Sequence, residues 1–70
     1  MSIEYSFHAK QQMKSRSISE DEVESCLNRW DIQCTDKKGN PIYKTRVGGR
    51  GIKVVVAKDN PEFVITAADY

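Results

Sequence analysis

The apolar residues of this chain change their spacing at Trp30, and this change constrains the fold more than any other feature. Val23, Cys26, Leu27 and Trp30 recur at i, i+3, i+4 and i+7, the spacing of one face of an α-helix. From Asp31 onward apolar and polar residues alternate, which is the period of a β-strand. The chain therefore divides into a helical part and a strand-forming part. Trp30 completes the apolar helix face, so we expect it to be substantially buried.

The clearest local signal is the start of the second helix. Ser19 and Glu22 match a capping box, in which each side chain accepts a hydrogen bond from a free backbone N–H group. Ile18 and Val23 flank the box as a hydrophobic staple. These residues predict a helix over about residues 20 to 29.

A first helix is predicted over Phe7 to Arg16, where helix-forming residues without glycine or proline follow Ser6, a favourable N-cap. Residues 1 to 5 are expected to form a short extended arm. The link between the two helices is only two or three residues long, so the helices should form a compact corner.

Helix 1 carries the only histidine of the chain in a polar row. His8, Gln12 and Arg16 stand at i, i+4 and i+8, so they share one flank of the helix. Two interpretations are open: a wet helix flank with a half-buried histidine, or a place where chemistry is exposed beside the core.

Four strands are predicted after the helices, over residues 31–36, 42–47, 52–57 and 63–67, separated by turns rich in glycine, proline, asparagine and lysine. The links are short enough for antiparallel hairpins. We therefore predict an α+β fold, with two N-terminal helices packed on one face of a three- or four-stranded antiparallel sheet.

A glycine loop over residues 48–51 sets the expected register of the central hairpin. It pairs Val47 with Ile52, Thr45 with Val54 and Tyr43 with Val56, and a loop over residues 58–61 adds Phe63 and Ile65 to the same helix-covered face. The opposite face then carries Lys44, Arg46, Lys53, Val55, Val64 and Thr66.

Positive charge is concentrated on that opposite face. Arg46 and Lys53 are expected to be cross-strand neighbours, and like charges in that position are unfavourable by a few tenths of a kcal/mol, of the order known for such pairs. Arg50, in the loop, adds a further cation close by. A phosphate partner would relieve the repulsion. The alternative is a solvated face whose lysines protect a sheet edge.

Length and composition restrict the class of protein. Seventy residues, 30% charged and 39% hydrophobic with a net charge of +1, predict one soluble globular domain over residues 1–70. A nucleic-acid partner would therefore need a local patch of charge. No apolar run spans a bilayer and no signal-like segment follows Met1, so a cytoplasmic location without membrane contact is expected.

The two cysteines indicate no cofactor. Cys26 and Cys34 lie eight residues apart without a neighbouring histidine, so they match no metal-ligand spacing, and no metal or other cofactor is predicted. Reduced thiols that fill the core are expected at both positions.

Several short motifs lie along most of the chain: Phe7-His8-Ala9, Met13 through Arg16-Ser17-Ile18-Ser19, Glu22-Val23, Tyr43, Arg46 with Gly48-Gly49-Arg50, and Val54-Val55-Val56. With these motifs the chain resembles a small bacterial family, the domain of unknown function DUF4258. Members commonly have arginine where this chain has Gln12, and glycine where it has Ser17.

The resemblance implies a layout similar to the helix–helix–sheet core of the barnase/RelE-type ribonucleases, many of which are toxins of toxin–antitoxin pairs. Fold alone does not assign function. In a metal-independent ribonuclease, His8 would exchange the protons and Arg16 would stabilise charge, while Lys44, Arg46, Arg50 and Lys53 would bind the nucleic acid. Because this chain has Gln12 in place of the family's arginine, this arrangement has one cation fewer.

Three hypotheses are open at this point. The first is an RNA-interacting domain that is a ribonuclease toxin, with an antitoxin as its partner. The second is a non-catalytic module that binds nucleic acid or protein, such as a phage- or plasmid-borne inhibitor. The third is a small subunit that completes a homo-oligomer through a sheet edge.

Overall fold

The computed structural model describes residues 3–70, so the first two residues of the predicted arm lie outside the described part. Its elements in chain order are β1 (Glu4–Tyr5), α1 (Phe7–Arg16), α2 (Glu20–Asn28), β2 (Ile32–Thr35), β3 (Pro41–Val47), β4 (Arg50–Ala57) and β5 (Asn60–Asp69). The sheet has the order β1-β5-β4-β3-β2. The α+β class is confirmed, but the sheet has five strands instead of three or four.

The prediction of a wholly antiparallel sheet is also wrong. β1 pairs with β5 in parallel, with Glu4 opposite Phe63 and Tyr5 opposite Val64. A strand of two residues is too short to show an alternating pattern, and its parallel partner is more than fifty residues away in the chain. Neither the strand nor its direction could therefore be predicted from local spacing.

The helices begin and end close to where their signals predicted. The Ser6 side chain caps α1, and the capping box of α2 is complete, with Glu22 N donating to Ser19 Oγ at 3.1 Å and Ser19 N to Glu22 Oε1 at 2.9 Å. α1 ends at Ser17, which adopts the left-handed conformation with φ 56°. Its N–H and that of Ile18 both reach the Met13 carbonyl, so the first helix stops sharply.

The turn between β3 and β4 is two residues long, and this decides the register. Gly48 and Gly49 have φ values of 60° and 83°, the left-handed pair of a type I′ turn, which L side chains adopt with strain. Val47 therefore pairs with Arg50, and Thr45 pairs with Ile52. The predicted register is wrong by two residues, but a shift of two leaves every side chain on its predicted face.

In the β4–β5 hairpin, some side chains of β5 lie on the face opposite to the predicted one. Its turn is also two residues, with Ala57 opposite Asn60, and the register shifts twice along the pair, as β-bulges do. Val64 and Ala67 consequently enter the core beneath the helices, while Phe63 and Ile65 are only partly buried. The predicted places of Phe63, Val64 and Ile65 are thus wrong, because a bulge offsets the two-residue alternation.

Trp30 and Cys34 are also placed differently from the prediction. α2 ends at Asn28, so the helical spacing does not extend to Trp30, which is 47% exposed and lies against Tyr43 with ring centroids 5.9 Å apart. Cys26 is buried, as predicted, but Cys34 is exposed on β2. Neither helix of the described chain has the length and apolar content needed to cross a membrane.

Candidate nucleic-acid interface

The side of the sheet opposite the helices presents its side chains in cross-strand rows. The rows are Ile32–Lys44–Lys53–Ala68, Cys34–Ile42–Val55–Thr66 and Arg46–Gly51, and we call these ten residues the outer face. Lys44 and Lys53 are direct partners, with Cβ atoms about 5 Å apart in such pairs. The predicted pairing of Arg46 with Lys53 is therefore wrong, although all three cations do share one face.

The charge of the outer face is not balanced locally. None of its ten residues is acidic. Its aromatic neighbour is Tyr70, whose ring centroid lies 5.6 Å from Lys44 Nζ and whose N–H donates to the Gly51 carbonyl. A Cβ atom at position 51 would lie 2.8 Å from the Tyr70 carbonyl oxygen, so this close approach requires glycine.

A shallow cavity extends the outer face toward the turn between β2 and β3. Lys37 and Lys38 line its rim together with Lys53, and apolar side chains including Ile42, Val55 and Ile65 form its floor. The one carboxylate at this cavity, Asp36, accepts hydrogen bonds from the Asn40 and Lys38 backbone N–H groups and from Asn40 Nδ2.

These hydrogen bonds keep the Asp36 carboxylate within the turn. The pKa of Asp36 is lowered, mainly because its carboxylate accepts a hydrogen bond from the Asn40 backbone N–H. The Asn40 side chain and the other turn amides lower this pKa further. Since the charge of Asp36 is directed to backbone amides, the lysines around the cavity have no carboxylate paired with them among the described ion pairs.

Arg50 does not join the cations of the outer face. Its guanidinium donates to the carbonyls of Arg16 at 2.7 Å and Ser17 at 2.9 Å, and it lies 3.5 Å from both Glu22 Oε2 and Asp69 Oδ1. We call these five residues the Arg50 cluster. Arg50 thus joins the end of α1, the start of α2 and the end of β5, on the helix side of the sheet.

The polar row of α1 lies beside the part of β5 that continues beyond its pairing with β1. Gln12 Oε1 accepts a hydrogen bond from the Ala67 N–H at 3.3 Å, and Ser6 Oγ donates to the Ile65 carbonyl at 2.8 Å. His8 and Arg16 are exposed one turn before and one turn after Gln12. Gln12 therefore brings the flank of α1 that also carries His8 and Arg16 to β5.

The His8 side chain faces solvent. It is exposed, and within residues 3–70 no side chain makes a hydrogen bond with its ring. A histidine can take up or release a proton at neutral pH, but a general base is ordinarily oriented by a further group. No group of three or more possible metal ligands occurs in the described part of the chain.

The structure thus brings together some predicted site residues and separates others. Lys44, Arg46 and Lys53 form one surface. His8 and Arg16 lie outside it, on the flank of α1 whose Gln12 reaches β5, and Arg50 lies elsewhere. Sequence reasoning missed Lys37, Lys38 and Tyr70. The adjacent lysines before β3 were a usable signal, whereas the place of Tyr70 depends on the register of β5.

Comparison with known proteins gives one match, to a family model that covers most of the chain. The family model for the domain of unknown function DUF4258 matches residues 5–69, and the chain belongs to that family. No curated protein and no solved structure matches the chain. The layout of barnase/RelE-type ribonucleases therefore remains a prediction.

Proposed function

We propose that this member of the DUF4258 family is a small RNA-interacting domain that holds phosphates on its outer face, through Lys44, Arg46 and Lys53. The observation that carries the proposal is the direct pairing of Lys44 with Lys53 on a face that contains no acidic residue. Two lysines in that position repel each other in the free protein. A phosphate bound between the two ammonium groups would attract both and outweigh their mutual repulsion.

The electrostatics of the whole chain support a local interface. The net charge is only +1, so the protein has little general attraction for a polyanion. Affinity must then come from the few cations that share a surface. Tyr70, half exposed beside Lys44, offers a ring on which an unpaired base can stack. Single-stranded RNA is the form of nucleic acid that presents both phosphates and unstacked bases.

The test compares two double variants that remove the same charge from opposite sides of the molecule. Lys44→Gln/Lys53→Gln removes two cations from the outer face, and Lys10→Gln/Lys14→Gln removes two from exposed positions of α1. Binding to a fluorescein-labelled single-stranded RNA is measured by anisotropy between low and moderate salt. We expect the first variant to lose affinity and to flatten the salt slope by about 1.4, since each phosphate contact contributes about 0.7.

The matched control separates this interface from a general charge effect. Equal losses in the two double variants would show that binding follows net charge and not the outer face. A wild-type protein without salt-sensitive RNA binding at low ionic strength would refute the proposal.

A second candidate function is catalytic, and the position of the α1 row favours it. His8 and Arg16 share the flank of α1 whose Gln12 reaches β5, so an RNA backbone that crosses this edge from the outer face would pass close to both. His8 would take the 2′-hydroxyl proton, and the 2′-oxygen would attack phosphorus as the bond from phosphorus to the 5′-oxygen breaks. The leaving 5′-oxygen would take its proton from solvent water, and His8 would return its own proton to the solvent. The products are a 2′,3′-cyclic phosphate and a 5′-hydroxyl, and Arg16 would stabilise the phosphorane charge.

Such an enzyme would act as the toxin of a toxin–antitoxin pair, with a protein inhibitor as its partner. RNA cleavage should then persist in a chelator. His8→Ala should lower its rate by roughly a hundred- to ten-thousandfold, while RNA affinity and the unfolding midpoint stay as in the wild type. Growth arrest on induction should likewise depend on His8. RNA binding without cleavage would leave the non-catalytic module as the function.

A further inference from the structure

The shallow cavity on the outer face has an apolar floor. One row of cross-strand partners forms it, with Val55 between Ile42 and Thr66, and Ile65 lies beside that row. The cavity has a volume of about 460 Å³, within the roughly 300–1,000 Å³ of small-molecule sites. It is therefore large enough for a ligand group that brings apolar surface with it.

The rim of this cavity carries three lysines and one carboxylate. Lys37 and Lys38 lie at one end, in the turn before β3, and Lys53 lies at the other end, one row along the sheet. The carboxylate of Asp36 accepts three hydrogen bonds within its own turn, two of them from backbone N–H groups. Lysine stems add aliphatic surface while their ammonium groups stay in water. The rim is therefore cationic on both sides of the floor.

Lys53 connects the cavity with the rest of the outer face, because it is also the direct partner of Lys44. Successive rows on one face of a sheet lie about 7 Å apart, since each strand residue rises about 3.4 Å. The floor is thus one row away from the pair of lysines. A nucleotide chain with a phosphate at that pair would place a neighbouring group over the floor.

We propose that the cavity is a nucleotide subsite, in which one unstacked base lies on the floor and the flanking phosphates lie at Lys53 and at the Lys37–Lys38 turn. A nucleotide joins a flat ring to a phosphate, so it matches an apolar floor between cationic rims. The hydroxyl of Thr66 can donate to or accept from the edge of the base. This subsite rests on the proposed RNA-binding function, because it shares Lys53 with the phosphate site.

An aliphatic chain that ends in a carboxylate is the competing ligand, and the shape of the floor favours the base. Ile42, Val55 and Thr66 belong to three neighbouring strands, so they form a broad surface that a flat ring covers with its whole area. A fatty acid buries most of its chain only in a deeper cavity. It would also leave the Thr66 hydroxyl without a partner.

Methyl NMR of the wild-type protein tests the subsite with three ligands that differ by one group at a time. Adenosine 5′-monophosphate carries the base, ribose 5-phosphate lacks it, and inorganic phosphate lacks the sugar as well. Only the first should strongly shift the methyl signals of Ile42, Val55 and Ile65, because its ring lies against them. The fully buried methyls of Ile52 and Val64 should move little and serve as the internal control.

Three results would overturn the subsite. Ribose 5-phosphate that shifts the floor methyls as far as the nucleotide does would reduce the cavity to a phosphate contact. Octanoate that shifts them further than the nucleotide does would assign the floor to an aliphatic chain. Floor methyls that do not respond to adenosine 5′-monophosphate would leave the floor without a base.

RNA binding tests the subsite within the whole interface. Lys37→Gln/Lys38→Gln should weaken binding of the labelled single-stranded RNA and flatten its salt slope by at least about 0.7, the contribution of one phosphate contact. Lys10→Gln/Lys14→Gln is the matched control, and all four lysines are exposed, so the fold should be kept. An RNA with abasic residues should likewise bind wild type more weakly than the unmodified RNA.

The outcomes separate the subsite from the proposed function. A loss of affinity in Lys44→Gln/Lys53→Gln without any loss in Lys37→Gln/Lys38→Gln would overturn the subsite and leave the outer face as an RNA interface. A wild-type protein that binds no RNA at low ionic strength would refute the proposed function and the subsite with it.

Discussion

The Arg50 cluster and the outer face use positive charge in opposite ways. Arg50 meets two helix carbonyls and two carboxylates within 3.5 Å. Lys44 and Lys53 meet each other and no carboxylate of their own face. Arg50 therefore joins elements of the fold, whereas Lys44 and Lys53 have no carboxylate partner among the described ion pairs.

The largest effect expected within this comparison is on stability, from the loss of Arg50. Arg50→Ala should lower the free energy of unfolding by about 2 kcal/mol, because two charged hydrogen bonds to backbone carbonyls are lost while the partly exposed ion pairs add little. Urea unfolding measures the change. RNA affinity should stay within about twofold of wild type. A large loss of affinity with little loss of stability would place Arg50 with the outer face instead.

Ser19 tests the capping box that positions Glu22 for Arg50. Ser19→Ala should cost about 1 kcal/mol of unfolding free energy, because a backbone N–H group loses its acceptor at the start of α2. Ser25→Ala removes the same hydroxyl from an exposed position of the same helix and should change stability little. Equal midpoints for the Ser19 variant and wild type would mean that the cap carries no stability.

A substitution at Ser17, also in the Arg50 cluster, should raise the unfolding free energy, whereas those at Arg50 and Ser19 should lower it. It holds φ 56° with a side chain present, so Ser17→Gly should raise the unfolding free energy by about 0.5–1 kcal/mol as the left-handed strain is relieved. Ser15→Gly, inside α1, should lower it by about 0.5 kcal/mol. Finding both substitutions destabilising would contradict a left-handed end to α1.

A charge reversal at Lys53 should change stability only slightly and RNA affinity more. Lys53→Glu places a carboxylate opposite Lys44, so the protein should become more stable by a few tenths of a kcal/mol while its RNA affinity falls. Lys58→Glu, in the exposed β4–β5 turn, makes the same charge change away from the outer face. A Lys53 variant that is both less stable and equally able to bind RNA would assign Lys53 a structural role.

Most of the helical part could be predicted because its signals are local. The capping box of Ser19 and Glu22, the N-cap at Ser6 and the apolar positions Val23 and Cys26 each act within one or two turns. The prediction for Trp30 was wrong for the complementary reason. It extended a local period past the point where the backbone leaves the helix, and only contacts with β3 determine where the indole lies.

The candidate site could be predicted only as a set of side chains on one face. A shift of the β3–β4 register by two residues leaves Lys44, Arg46 and Lys53 on the same face of the sheet. The prediction that they share a face was therefore correct, although the predicted pairing of Arg46 with Lys53 was wrong. The side-chain direction of Arg50 was beyond such reasoning, because it depends on carbonyls and carboxylates from three other elements.

Interactions between residues close in the chain were sufficient to predict the class of fold, the bounds of α1, the start of α2 and the face on which the cations stand. The parallel pairing of β1, the bulges that bring Val64 into the core, and the contacts of Arg50 could not be predicted in this way. These depend on segments that are far apart in the chain, and their relative positions are set by packing of the whole sheet against the helices.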